Sequence, residues 1–86
     1  MSVNSKRSEN DKYESLDWML SADDRILDHF DENGPGLCPQ AAGVLGLHVS
    51  FARRRCEILC EHGFLYENDT EFRLTDRGQQ YLEIYE

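Results

Sequence analysis

The sequence predicts a mainly α fold with a small β-hairpin, α+β in class. Three observations predict it. Apolar residues recur at helical spacing in successive stretches of the chain. Two short aromatic and aliphatic runs, Phe64 to Glu67 and Glu71 to Leu74, flank the turn-type trio Asn68-Asp69-Thr70. At 86 residues with 40% apolar content, the chain has material for one small core and no second one.

The elements follow in order. Residues 1–12 are polar, rich in Ser, Asn, Lys and Glu, and are expected to form a disordered tail ahead of a domain over 13–86. Tyr13 to Leu20, with Trp18 and Met19, is an ordered apolar lead-in. Ser21 to Asp24 resembles a capping box with Asp in place of Glu, so Ser21 is expected to cap the first helix, and Asp23 and Asp24 suit the positive end of its dipole. Ile26, Leu27 and Phe30 make one face of that helix, and Asn33-Gly34-Pro35-Gly36 stops it.

Pro39 fits the first turn of a short second helix, with Cys38 near its cap and Ala41, Ala42 and Leu45 on its inner side. Gly46 ends it. A third helix over about 48–62 has Val49, Ala52, Cys56, Leu59 and Cys60 on one stripe, and Gly63 stops it. The hairpin covers about 64–74. Thr75 caps a last helix over about 75–84, with Gly78, Tyr81, Leu82 and Tyr85 on one face. Two helices joined by the tight Leu45-Gly46-Leu47-His48 link, then a hairpin, form the winged helix-turn-helix arrangement.

The net charge is −8, which by itself argues against a polyanion partner. Its distribution weakens that argument. Residues 8–34 hold nine acids and two cations, whereas residues 46–56 hold Arg53, Arg54, Arg55 and no acid. Seven of the nine cations are Arg and only Lys6 and Lys12 are Lys, a bias expected of proteins that work in concentrated salt, where carboxylates keep water and counterions.

Several classes fall away. No apolar run approaches the ~20 residues that span a bilayer, and the N-terminus has no apolar leader. Three cysteines, an odd number, point to free thiols and a cytoplasmic protein. No phosphate loop, nucleophile elbow or paired-carboxylate motif points to catalysis, so no catalytic residue and no cofactor is expected. Cys56 and Cys60 are one turn apart near His62, but they sit on the apolar stripe, where Cys packs as a small hydrophobe; no metal is expected there.

The candidate site lies on the third helix. At 100° per residue with Val49 at 0°, the apolar stripe centres near 330°, so the outward direction is near 150°. Ser50 at about 100°, Arg54 at about 140° and Phe51 at about 200° face out, and Arg53 (about 40°) and Arg55 (about 240°) flank the stripe. In a major groove, Arg54 offers paired hydrogen bonds to guanine, Ser50 pairs with either kind of partner, and Phe51 meets a thymine methyl. Arg53 and Arg55 would meet phosphates on the groove walls. The hairpin tip is acidic, and Arg73 is its candidate phosphate contact. Ile58, at about 180°, is an apolar residue on the outward side.

Trp18-Met19, Asp23-Asp24-Arg25-Ile26-Leu27, Leu45-Gly46, Arg54-Arg55, His62-Gly63-Phe64-Leu65 and Phe72-Arg73-Leu74-Thr75 with Gly78, Tyr81 and Leu82 carry a family resemblance. Together they resemble the winged-helix regulators of haloarchaea related to the repressor of the phage phi-H, and more distantly the multiple-antibiotic-resistance repressor type. The resemblance covers residues 17–85. It implies a sequence-specific double-stranded DNA-binding transcriptional regulator, a repressor, acting as a homodimer with no small-molecule effector inferred. Tyr13, Trp18, Tyr81 and Tyr85 supply more apolar surface than a small core needs and are the expected dimer seam. The sequence departs from the family pattern at His48, where Ser is usual and caps better, and at Cys56, where Leu is usual. The competing reading is a winged helix used for protein contact without DNA, with the acidic faces and Ile58 as its surface.

Overall fold

The computed structural model describes residues 16–85. The expected tail and Tyr13 lie outside the described residues. A 3₁₀ turn, Leu16–Trp18, leads into α1 (Ser21–Asn33). β1 (Gly36–Leu37), α2 (Cys38–Leu45), α3 (Val49–Glu61), β2 (Leu65–Asn68), β3 (Glu71–Leu74) and α4 (Asp76–Tyr85) follow. The fold is mostly helical with a small antiparallel sheet, as the sequence predicts.

The cap of α1 is displaced from its expected place. Leu20, not Ser21, is the N-cap, and its N–H donates to Asp23 Oδ2 at 2.9 Å. The apolar side chain of Leu20 offers no acceptor, so the third residue of the helix satisfies the cap backbone instead. The helix-turn-helix is α2, Gly46 at φ +73°, and α3. Pro39 sits in the first turn of α2, where its missing N–H has no helical partner to lose. Arg25 donates to the Leu45 carbonyl at 2.6 Å, which supplies a cation to the carbonyl end of α2. His48 is the N-cap of α3 and makes no side-chain capping bond, as its replacement of Ser implies.

The sheet has three strands, not the two expected of a hairpin, in the order β1-β3-β2. β1 pairs Gly36 with Phe72 and Leu37 with Glu71. β2 and β3 pair from Leu65↔Leu74 to Asn68↔Glu71, leaving a two-residue turn in which Asp69 takes φ +63°. Asp tolerates the left-handed region better than most residues.

One core joins all layers. Ile26, Leu27 and Phe30 of α1 meet Ala41 and Ala42 of α2, Ala52, Cys56 and Leu59 of α3, Phe72 of β3, and Leu82 of α4. Small residues on the facing sides of α2 and α3 let the two helices lie close. Val49 departs from the expected stripe: it is 49% exposed, because the first turn of α3 extends past the core. α4 is fixed at its start. Thr75 Oγ1 accepts from the Gly78 N–H at 3.0 Å and donates to the Gly63 carbonyl at 2.6 Å. Gly78 is buried where a Cβ would collide with the Phe64 carbonyl and lie 2.7 Å from Leu74 Cδ1. Among the described residues no helix is long and apolar enough to cross a membrane.

Candidate nucleic-acid interface

α3 has one face sealed by α1, α2 and the hairpin and one face open. Because Ala52, Cys56 and Leu59 point inward, Ser50, Phe51, Arg53 and Arg54 are left in solvent. His48, Val49, Ser50, Arg53, Arg54 and Glu57 line an open groove along the N-terminal half of the helix. The exposed first turn therefore does two things: it removes Val49 from the core and adds it to this surface.

The three consecutive arginines divide by direction. Arg54 is the most open, with 66% of its side chain exposed, and its Nη1 is 3.9 Å from Glu57 Oε1. Arg53 is half exposed, lies over the Phe72 ring at 6.0 Å, and pairs with Glu57 at 3.3 Å and with Glu67 of β2 at 3.6 Å. Arg55 corrects the angular reading. Only 12% of its side chain is exposed, and it turns inward onto Asp23, at 2.6 and 2.9 Å, and onto the Trp18 carbonyl at 2.9 Å. At about 240° a long side chain reaches either solvent or the neighbouring helix. A fully buried carboxylate on α1 decides for the helix. The hydrogen bonds that Arg55 donates to Asp23 hold its guanidinium protonated still more firmly, against the burial that opposes its charge.

Arg73 is exposed on β3, one residue from the buried Phe72 and so on the far side of the sheet from the core. Its cross-strand neighbour is Tyr66. Of the aromatic residues assigned to a dimer seam, Tyr81 belongs to the core of the single chain and Trp18, partly buried, packs against it. The indole of Trp18 stacks on His62, with ring centroids 3.9 Å apart, and tilts against Phe64. Tyr81 is buried, and its hydroxyl donates to Asp24. Tyr85, beside Ile84, is exposed.

Sequence reasoning missed the role of Asp23. Asp23 read as a helix-dipole residue, and nothing local marks its partner 32 positions away. Glu57 was legible: at about 80° on the same wheel it falls between Arg53 and Arg54.

No cluster of metal-ligating residues occurs among the described residues. The thiols are packed instead. Burial raises Cys38, drives Cys56 far above the ordinary thiol range, and pushes Cys60 up to about 11.

Comparison with known proteins agrees with this architecture. No curated protein matches the chain. Residues 12–84 match the model of the family described as winged helix-turn-helix phage repressor. The match takes in the helix-turn-helix, the wing and almost all of α4, and the chain belongs to the winged helix-turn-helix phage repressor family.

Proposed function

We propose that the protein is a sequence-specific double-stranded DNA-binding transcriptional regulator, a repressor of the cytoplasm, that sets α3 in the major groove and works as a homodimer. The observation that carries the reading is the open front of α3, where Ser50, Phe51, Arg53 and Arg54 are all exposed on a helix anchored by its opposite face. Arg54 reads guanine through O6 and N7, Ser50 bonds to a neighbouring base edge, and Phe51 packs on a thymine methyl. Arg53 neutralises a phosphate, and Arg73 reaches another from the wing. Arg55 takes no part in contact and fixes the helix that makes it.

Dimerisation uses the exposed end of α4, where Ile84 and Tyr85 present apolar surface, and sets two recognition helices about one DNA turn apart. The net charge of −8 suits concentrated salt, where repulsion from phosphates is screened within a few Å. Counterion release then drives little binding, so direct contacts supply the affinity. The test is duplex binding by the full chain, with fragments from around its own gene, at moderate and at molar KCl. Fragment-selective binding is the expected result. No binding to any fragment at either salt overturns the reading.

A further inference from the structure

We propose that Glu57 is a specificity-determining residue of the α3 surface, one that favours a cytosine in the target and opposes docking on phosphates alone. The inference rests on the DNA-binding reading above. Glu57 lines the same open groove as Ser50, Arg53 and Arg54. Its two carboxylate oxygens divide between the two exposed arginines, Oε2 at 3.3 Å from Arg53 Nε and Oε1 at 3.9 Å from Arg54 Nη1. A second acid, Glu67, stands 3.6 Å from Arg53. The four side chains together carry no net charge, so the cations best placed to meet DNA are already balanced in the free protein.

That arrangement acts differently on two kinds of complex. On phosphates alone, each arginine must leave Glu57, and the carboxylate is brought towards the phosphate oxygens. An ionised carboxylate only accepts hydrogen bonds, and a phosphodiester has none to donate. On a base edge the outcome changes, because cytosine presents its N4 amino group as a donor in the major groove. Glu57 lies about 4.5 Å along the helix axis from Arg54, so this cytosine falls within a base step or two of the guanine that Arg54 reads. The acid therefore has a partner in the right sequence and only repulsion elsewhere, which raises the ratio of specific to non-specific binding.

The test compares wild type, Glu57→Gln and Glu57→Ala as full chains. Each selects sites from a randomised duplex library, and Kd is measured on the selected and on a scrambled duplex at two salt concentrations. The Glu57 side chain is 42% exposed and is not among the core residues, and thermal melting checks that each variant is folded. Wild type is expected to select a fixed cytosine. Glu57→Gln replaces it with adenine, which a Gln amide pairs in the major groove. Glu57→Ala selects no base there. Both variants bind the scrambled duplex about 3- to 10-fold more tightly, as two exposed ion pairs are released. Unchanged base preference, or an unchanged ratio of selected to scrambled affinity, overturns the role of Glu57 alone. A wild-type protein with no affinity for any duplex overturns the DNA-binding reading itself.

Discussion

Arg55 and Asp23, 32 residues apart in sequence, form a two-pronged ion pair with Nη2–Oδ2 at 2.6 Å and Nε–Oδ1 at 2.9 Å. Asp23 has no exposed surface, and the same carboxylate holds the Leu20 N–H at the start of α1. Arg55 completes the cluster by donating to the Trp18 carbonyl. α3 is thus joined by charge to the beginning of α1 and to the turn before it. Arg53 and Arg54, the two residues before Arg55, face outward.

Removing one partner of this pair is expected to destabilise the fold strongly. Asp23→Ala leaves the Arg55 charge without its counterion and frees the Leu20 N–H, so urea unfolding should show a loss of about 3 kcal/mol or more. Asp23→Leu combined with Arg55→Met should lose much less than the sum of the two single changes, since the apolar pair leaves no unmatched charge. Additive losses would show that the two side chains do not act as a unit.

The same pair shows where the sequence runs out as a guide. Helices, wing and stops were legible because each rests on local signals: the apolar stripe of α3, Gly46 and Gly63 in the left-handed region, and Thr75 before Gly78. β1 was not, because Gly36 and Leu37 become a strand only by pairing with Phe72 and Glu71, far along the chain. Tyr81 looked like spare aromatic surface until Asp24 gave its hydroxyl a partner. In the candidate site, wheel geometry was enough for Arg54 and Ser50, which point straight out. It was insufficient for Arg55, whose direction depends on a carboxylate supplied by another helix.

Gly78→Ala is expected to destabilise despite the better helix propensity of Ala, which is worth about 1 kcal/mol. The new Cβ meets the Phe64 carbonyl and the Leu74 side chain, and the carbonyl belongs to backbone that is itself buried against α4. Moving α4 away exposes Tyr81 and Leu82, so the net loss should be about 1–3 kcal/mol. Thermal melting checks it, and a gain in Tm would show that α4 shifts freely.

The buried and half-buried thiols make stability fall in alkali. Burial raises the thiols of the folded state, with Cys60 at about 11 and Cys56 higher still, whereas in the unfolded chain they ionise near the ordinary thiol value of 9.0. Above pH 9 the unfolded chain releases protons that the folded chain keeps, so this contribution is whole below pH 9 and declines as pH rises. The slope reaches about 1.4 kcal/mol per pH unit for a thiol that stays fully protonated when folded. Urea midpoints at pH 8 and pH 10 measure the decline. Tyr81, raised by burial and then by Asp24, acts in the same direction at higher pH. Cys56→Ala should remove part of the slope between pH 9 and 10.

The two outward arginines should fail in different ways when truncated. Arg54 is the more exposed and sits nearest the outward direction of α3, where a base edge would lie. Arg54→Ala should therefore cost about 1–3 kcal/mol on the preferred duplex and little on a scrambled one, relaxing choice at one position. Arg53 lies at the flank, between Glu57 and the wing residue Glu67, where a groove wall would pass. Arg53→Ala should weaken every duplex alike and reduce the slope of log K against log salt by about 0.9. Binding isotherms on both duplexes at several salt concentrations separate the two patterns. Equal losses from both variants on both duplexes would mean that Arg54, too, meets only phosphate. Sequence choice would then rest on Ser50, Phe51 and Glu57.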